Sequence, residues 1–180
     1  TINPDSTHEM AGNERWINEE QSSHELYNAG HLYEAAVAHF QATGKRTLLD
    51  VAIKNANLVD SVFGWGKLEK TPGHQEIEIG LVKLYRLTGE KKYLDLAKFF
   101  LDRRGPAGDS YNQMHEKVTD QREAVGHAVR AQYMYAAMAD IAALTGDSSY
   151  LKAIDALWED VTNGKTYLTQ ILRARIAYLS

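Results

Sequence analysis

The chain has 180 residues, of which 44% are apolar and 24% charged; that is enough for one domain with a buried core and is a globular rather than a disordered composition. A net charge of −4 built from mixed signs excludes a general nucleic-acid or membrane-surface binder, and no apolar run reaches the roughly 18 residues that a bilayer span needs. Cysteine is absent, which excludes disulfides, thiolate nucleophiles and cysteine-ligated metals in this chain.

In chain order, residues 1–14 form a polar segment expected to be loosely ordered. They lack a basic-then-apolar leader pattern, so the expectation is a soluble, cytoplasmic protein. From residue 15 onward the chain repeats itself. Three segments align without gaps around a Thr-Gly pair: ATGKRTLLDVA at 42–52, LTGEKKYLDLA at 87–97 and LTGDSSYLKAI at 144–154. Their glycines, Gly44, Gly89 and Gly146, lie 45 and 57 residues apart. Each follows one amphipathic run and precedes another, which predicts a left-handed glycine ending a helix. Before Gly89, Ile77, Leu81, Leu84 and Tyr85 share a helical face, as Met134, Ala137, Met138 and Ile141 do before Gly146. After Gly146, Tyr150, Ile154, Leu157, Trp158 and Val161 continue that periodicity. Asp147 and Ser148 are candidate caps for this last helix.

The longer connections, 62–74 and 104–115, carry Gly, Pro and polar residues instead. Short corners thus alternate with long loops. The three prolines, Pro4, Pro72 and Pro106, all sit outside the periodic runs. The fold class read from this pattern is all-α: three antiparallel helical hairpins, half a ring of the (α/α)6-toroid type, over residues 15–169. The repeat is too long and uneven for tetratricopeptide or ankyrin units. Residues 170–180 form a divergent tail.

A second repeat marks the candidate site. His31, His74 and His127 each follow a glycine and lie 13, 15 and 19 residues before their Thr-Gly glycines. They are expected at the same end of the three incoming helices, converging at one mouth if the hairpins splay round a common axis. Glycine at such a place allows a sharp turn or a close approach. His24 lies two helical turns before His31 and joins the set, with Asn28 one turn on. Glu78 is four residues after His74, and Glu123 four before His127, so both are candidate helical partners that would fix the histidine tautomers. Tyr27, Tyr33 and Tyr111 lie near the expected mouth. Aromatic rings with His and carboxylates suit a carbohydrate site.

No HExxH string occurs; the nearest is His24-Glu25-Leu26-Tyr27-Asn28. No local metal site is therefore expected, and there is no P-loop, GxGxxG or GxSxG. The site residues read from the sequence are for substrate binding, with none assigned as catalytic or as metal ligands.

The strings SHELYNAGHLYEAAVAHFQATGKRTLLDVA (23–52), PGHQEIEIGLVKLYRLTGEKKYLDLAKFFLDRRG (72–105) and EAVGHAVRAQYMYAAMADIAALTGD (123–147) resemble glycoside hydrolase family 127, the β-L-arabinofuranosidase family. Tyr111, Gln113, His115, Val118 and Gln121 resemble the family's loop pattern, and the similarity runs from about Arg15 to Thr169. It implies an (α/α)6 toroid that hydrolyses terminal L-arabinofuranosides with retention. It also implies that the Gly-His histidines line the sugar pocket. The family uses a cysteine nucleophile held on zinc by further cysteines and a glutamate, and an acid/base glutamate after a Gly-Gly-Ile-Gly turn. That turn would follow Thr169, where this sequence reads Gln170-Ile171-Leu172-Arg173, and Asn28 stands where the family commonly has cysteine. The expectation is a carbohydrate-binding helical part, inactive alone, without the family's zinc or other cofactor. An open half-ring would expose apolar ends that a second copy could cover by twofold symmetry. The alternatives are a non-catalytic helical-repeat binding module and a cysteine-independent toroid sugar epimerase or hydrolase.

Overall fold

The computed structural model of the protein describes residues 15–16, 18–20 and 23–166. The polar segment 1–14 and the tail 170–180 lie outside the described residues. Six helices follow in order: α1 (Glu25–Thr43), α2 (Thr47–Val62), α3 (Ile77–Thr88), α4 (Lys91–Arg103), α5 (Ala128–Thr145) and α6 (Ser148–Asp160). A π-helical turn, Val161–Lys165, closes the described chain. The fold is all-α, in three antiparallel hairpins.

Each hairpin corner is built the same way. Gly44, Gly89 and Gly146 take φ of 69°, 75° and 71°, and their N–H groups donate to Phe40, Tyr85 and Ala142. The threonine before each glycine adds two bonds. Thr43, Thr88 and Thr145 donate from Oγ1 to the carbonyl four residues earlier and accept from the N–H two residues later. The Thr-Gly pair thus satisfies the end of the incoming helix and the start of the turn with local groups alone. Asp147 caps α6 through the N–H of Ser149, 3.0 Å away.

The incoming helices α1, α3 and α5 pack side by side in that order, with α3 against both neighbours. The outgoing helices lie behind them, α2 against α4, and α4 also reaches α5. Leu26, Tyr33, Val59, Phe63, Ile77, Leu84, Tyr93, Phe100, Met134 and Tyr150 belong to one continuous core between the two rows. Backbone contact sets the spacing of α1 and α3. A side chain at Gly80 would place its Cβ 2.6 Å from the Gly30 carbonyl oxygen. The two helices cross glycine to glycine, nearer than side-chain packing allows. On the outer face of the last hairpin Val129, Leu151 and Trp158 remain exposed, Trp158 by 65%.

Candidate functional site

The three Gly-His histidines come together, from three different backbone settings. His31 lies in the second turn of α1, His74 stands three residues before α3, and His127 is the residue that caps α5. All three stand toward the same end of the incoming helices, but at different positions along them. The long loops deliver two of them. Their glycines have one shared reason, a close approach by another segment. A Cβ at Gly30 would lie 2.6 Å from the Ile77 Cα and collide with the Glu76 carboxyl. At Gly73 it would meet the Ser23 carbonyl at 2.8 Å, and at Gly126 the Tyr111 Cα at 2.7 Å.

The result is a continuous cluster of rings. His74 lies at its centre, with ring centroids 5.7 Å from His24, 4.4 Å from Tyr27, 5.9 Å from His127 and 6.0 Å from Tyr133. His31 joins through Tyr27 at 4.5 Å and Tyr133 at 5.9 Å, and Tyr111 meets His127 edge-on at 5.4 Å. Tyr133 was not among the residues singled out in the sequence. It lies six residues past His127, a spacing with no local signature. Tyr33 is placed otherwise than expected: it is fully buried in the core and donates to Asn55 Oδ1 at 2.6 Å.

Hydrogen bonds assign opposite roles to two of the histidines. His74 Nδ1 lies 2.8 Å from the Gln75 carbonyl, which can only accept. Nδ1 therefore carries the hydrogen, and Nε2 offers a lone pair. Burial, with the charges of Arg130, His24 and His127 nearby, pushes the pKa of His74 down to about 4, so this ring is neutral near pH 7. His127 Nδ1 instead accepts from the N–H of Arg130 at 3.3 Å, which leaves the hydrogen on Nε2. The cluster thus holds one imidazole acceptor and one imidazole donor, a pairing suited to hydroxyl groups.

The carboxylate partners expected for these histidines are elsewhere. Glu78 is fully buried, and its Oε2 accepts from the N–H of Glu76 at 2.9 Å. Its carboxyl is raised by burial, against the opposing charge of buried Arg104. The four-residue spacing fails because His74 precedes the helix. For the same reason Glu123, before the start of α5, does not reach His127. It is 62% exposed and pairs with Lys165 at 3.2 Å. The carboxyls beside the cluster are Glu34 and Glu76. His31 Nδ1 lies 3.4 Å from Glu76 Oε1 and 3.8 Å from Glu34 Oε2. Together these three are the one His–carboxylate group among the described residues whose ligand atoms lie within 4.8 Å of one another.

The loop residues singled out beside the histidines are mostly ties. Gln113 is buried, accepts from Gln75 at 2.9 Å and reaches the Val125 carbonyl at 2.8 Å. Gln121 Nε2 donates to the Gln113 carbonyl at 2.9 Å, and Val118 is core. Two arginines hold the His74 segment from below. Buried Arg104 donates to Pro72 at 2.6 Å and Asn112 at 3.0 Å, and Arg130 donates to Gly73 and to Asn112 Oδ1. Neither arginine carried a motif. An apolar groove of about 300 Å³ between α5 and α6, lined by Tyr135, Ile154, Leu157 and Trp158 among others, is a separate feature. Among the described residues no helix is long and apolar enough to cross a membrane.

Comparison with known proteins gives a consistent picture. Residues 2–170 match the family model described as beta-L-arabinofuranosidase, GH127 catalytic domain. A non-reducing end beta-L-arabinofuranosidase of Bifidobacterium longum is 38% identical over 174 residues, covering 83% of this chain and 26% of that protein. A solved structure described as a GH127 beta-arabinofuranosidase superposes with a TM-score of 0.85 at 57% identity, over 92% of this chain and 27% of its own. A GH127 beta-L-arabinofuranosidase from Geobacillus stearothermophilus gives 0.86 at 44% identity, over 93% of this chain and 30% of its own. The chain thus spans between about a quarter and a third of the length of these relatives.

Proposed function

Since the chain belongs to glycoside hydrolase family 127, we propose that it forms the sugar-recognising face of a β-L-arabinofuranosidase. The observation that carries this reading is the convergence of His24, His31, His74 and His127 with Tyr27, Tyr111 and Tyr133 in one cluster. A furanose presents hydroxyls round its rim and C–H bonds on its faces. His74 Nε2 accepts from a hydroxyl, His127 Nε2–H donates to another, and exposed Tyr111 covers a ring face. His24 and His31 extend the polar lining. Glu78 and Glu123, expected as ligand-side carboxylates, serve instead as an internal brace and a surface partner of Lys165.

Bond cleavage by the mechanism that the resemblance implies needs thiolate and zinc. The donor set for that zinc is largely thiolate, and this chain has no cysteine, so its residues do not fit the group. A cysteine-independent glycosidase would instead need two carboxyls facing each other across the mouth at about 5–9.5 Å. Glu34 and Glu76 lie beside one another, with carboxyl oxygens within 4.8 Å, and Glu78 and Glu123 are directed elsewhere. The reading is therefore recognition without hydrolysis by these 180 residues.

The test is titration of the purified chain with L-arabinose and with methyl β-L-arabinofuranoside, followed by imidazole NMR and by product analysis. Saturable shifts at His74 and His127, with no release of L-arabinose in the presence or absence of zinc, are expected. Release of L-arabinose would contradict recognition without hydrolysis. Flat titrations at millimolar sugar would remove the sugar-binding reading itself.

A further inference from the structure

His74 and His127 have their ring hydrogens assigned by backbone partners; His31, in the same ring cluster, has only carboxyls facing its Nδ1. Its Nδ1 faces Glu76 Oε1 at 3.4 Å and Glu34 Oε2 at 3.8 Å. Glu76 has no exposed surface, and neither of its oxygens makes a hydrogen bond in the structure, His31 Nδ1 at 3.4 Å being the nitrogen that faces them. A buried carboxyl in that position is either ionised and uncompensated, which is costly, or protonated and donating. The acceptor for such a proton is at hand, because Glu34 offers a carboxyl oxygen within 4.8 Å of Glu76 and is itself paired with Lys83.

Resting on the sugar-binding reading above, we infer that Glu76 is a positioning residue. It shares a proton with Glu34 and holds His31 with its hydrogen on Nδ1, so that Nε2 meets the ligand as a hydrogen-bond acceptor. Acceptor strength decides where the proton points. The Glu76 O–H bonds to the charged Glu34 carboxylate in preference to a neutral imidazole, because charge-assisted bonds are about twice as strong. The remaining Glu76 oxygen is then the acceptor that faces His31 Nδ1–H, and the four groups run in a line: Lys83, Glu34, Glu76, His31. Burial and the neighbouring charges of Glu34 and Glu78 push the Glu76 carboxyl up to about 10, against the opposing charge of Lys83, consistent with a proton retained at neutral pH. The absence of a side chain at Gly30 gives this carboxyl its space. Gly30 and His31, adjacent in sequence, thus serve one arrangement.

A divalent cation bound by His31, Glu34 and Glu76 is the competing account of the same cluster. Lys83 already supplies the positive charge beside Glu34, which disfavours it. Two variants separate the readings. Glu76→Gln keeps the geometry of a protonated carboxyl, with its amide donating to Glu34 and its carbonyl accepting from His31. Glu76→Ala removes both. Long-range 1H–15N correlation spectra of the 180-residue chain at pH 7, without sugar, report the His31 tautomer; His31→Gln identifies its signals. Expected are an Nδ1–H tautomer in the parent and in Glu76→Gln, its loss in Glu76→Ala, and signals unmoved by one equivalent of zinc.

An Nε2–H tautomer in the parent would overturn the inference. Zinc-dependent shifts at His31 that vanish in Glu76→Gln would replace it with the metal site. If Glu76→Ala fails to fold, Glu34→Gln is the second probe, predicted to loosen the tautomer preference while the helical circular dichroism persists. Sugar titration of the same samples is read separately. An Nδ1–H tautomer with no sugar shift would leave the positioning of His31 standing while removing the sugar-binding reading, so the two failures are distinguishable.

Discussion

The two ends of the hairpins contrast sharply in how they are made. At the Thr-Gly end three corners repeat one local device, with the same left-handed glycine and the same two threonine bonds. A Cβ added at Gly44, Gly89 or Gly146 would meet nothing within 4 Å. At the Gly-His end each glycine is pressed by a distant segment, and the three histidines leave three different backbone settings. One end is specified by neighbours in sequence and the other by neighbours in space. The candidate site sits at the second.

Predictions that break this contrast fall in descending order of effect. Arg104→Met strips a fully buried guanidinium of its bonds to Pro72 and Asn112 and leaves Glu78 without its opposing charge. It is expected to cost about 3–5 kcal/mol, measured by urea unfolding, and to weaken sugar binding because the His74 segment loses its anchor. Gly30→Ala forces a methyl between α1, Ile77 and the Glu76 carboxyl, at about 1–3 kcal/mol for overpacking, with perturbed His31 signals. Gly44→Ala meets only open space and keeps just the conformational penalty of a left-handed residue, about 1–2 kcal/mol. It should leave the histidine spectra unchanged. If Gly44→Ala disturbed the cleft more than Gly30→Ala, the division between local and assembled ends would be wrong.

Acidity sharpens the same contrast at two groups of the assembled end, His74 and Glu76. His74 falls from 6.5 to about 4 on folding, so the unfolded chain binds the extra proton. Its contribution is complete above about pH 6.5 and is lost as pH falls toward 4. Glu76 rises from 4.5 to about 10, so the unfolded chain releases a proton the folded one keeps. That contribution erodes stability as pH rises through that interval. Urea midpoints between pH 7 and 10 should decline in the parent and decline less in Glu76→Gln. Equal slopes would show that Glu76 does not hold its proton.

What was legible in the sequence follows the same division. The helices, the Thr-Gly corners and the Asp147 cap were readable because each depends on residues within one turn. The Gly-His pairs were readable as a converging set because the repeat copied them, although the backbone setting of each differs. Glu78 and Glu123 were misassigned because a four-residue spacing pairs side chains only inside a helix, and His74 and His127 stand before theirs. Glu76, Tyr133, Arg104 and Arg130 were missed because their roles come from packing between hairpins. Nothing local to Glu76 announces that it will face Gly30 and His31, 45 or more residues away.

The central claim is that the histidine cluster recognises a furanose, and imidazole NMR of the 180-residue chain titrated with methyl β-L-arabinofuranoside tests it most directly. The account predicts saturable shifts at His31, His74 and His127, with His39, on α1 outside the cluster, unmoved. Shifts at His39 equal to those of the three, or none at any of them, would contradict it.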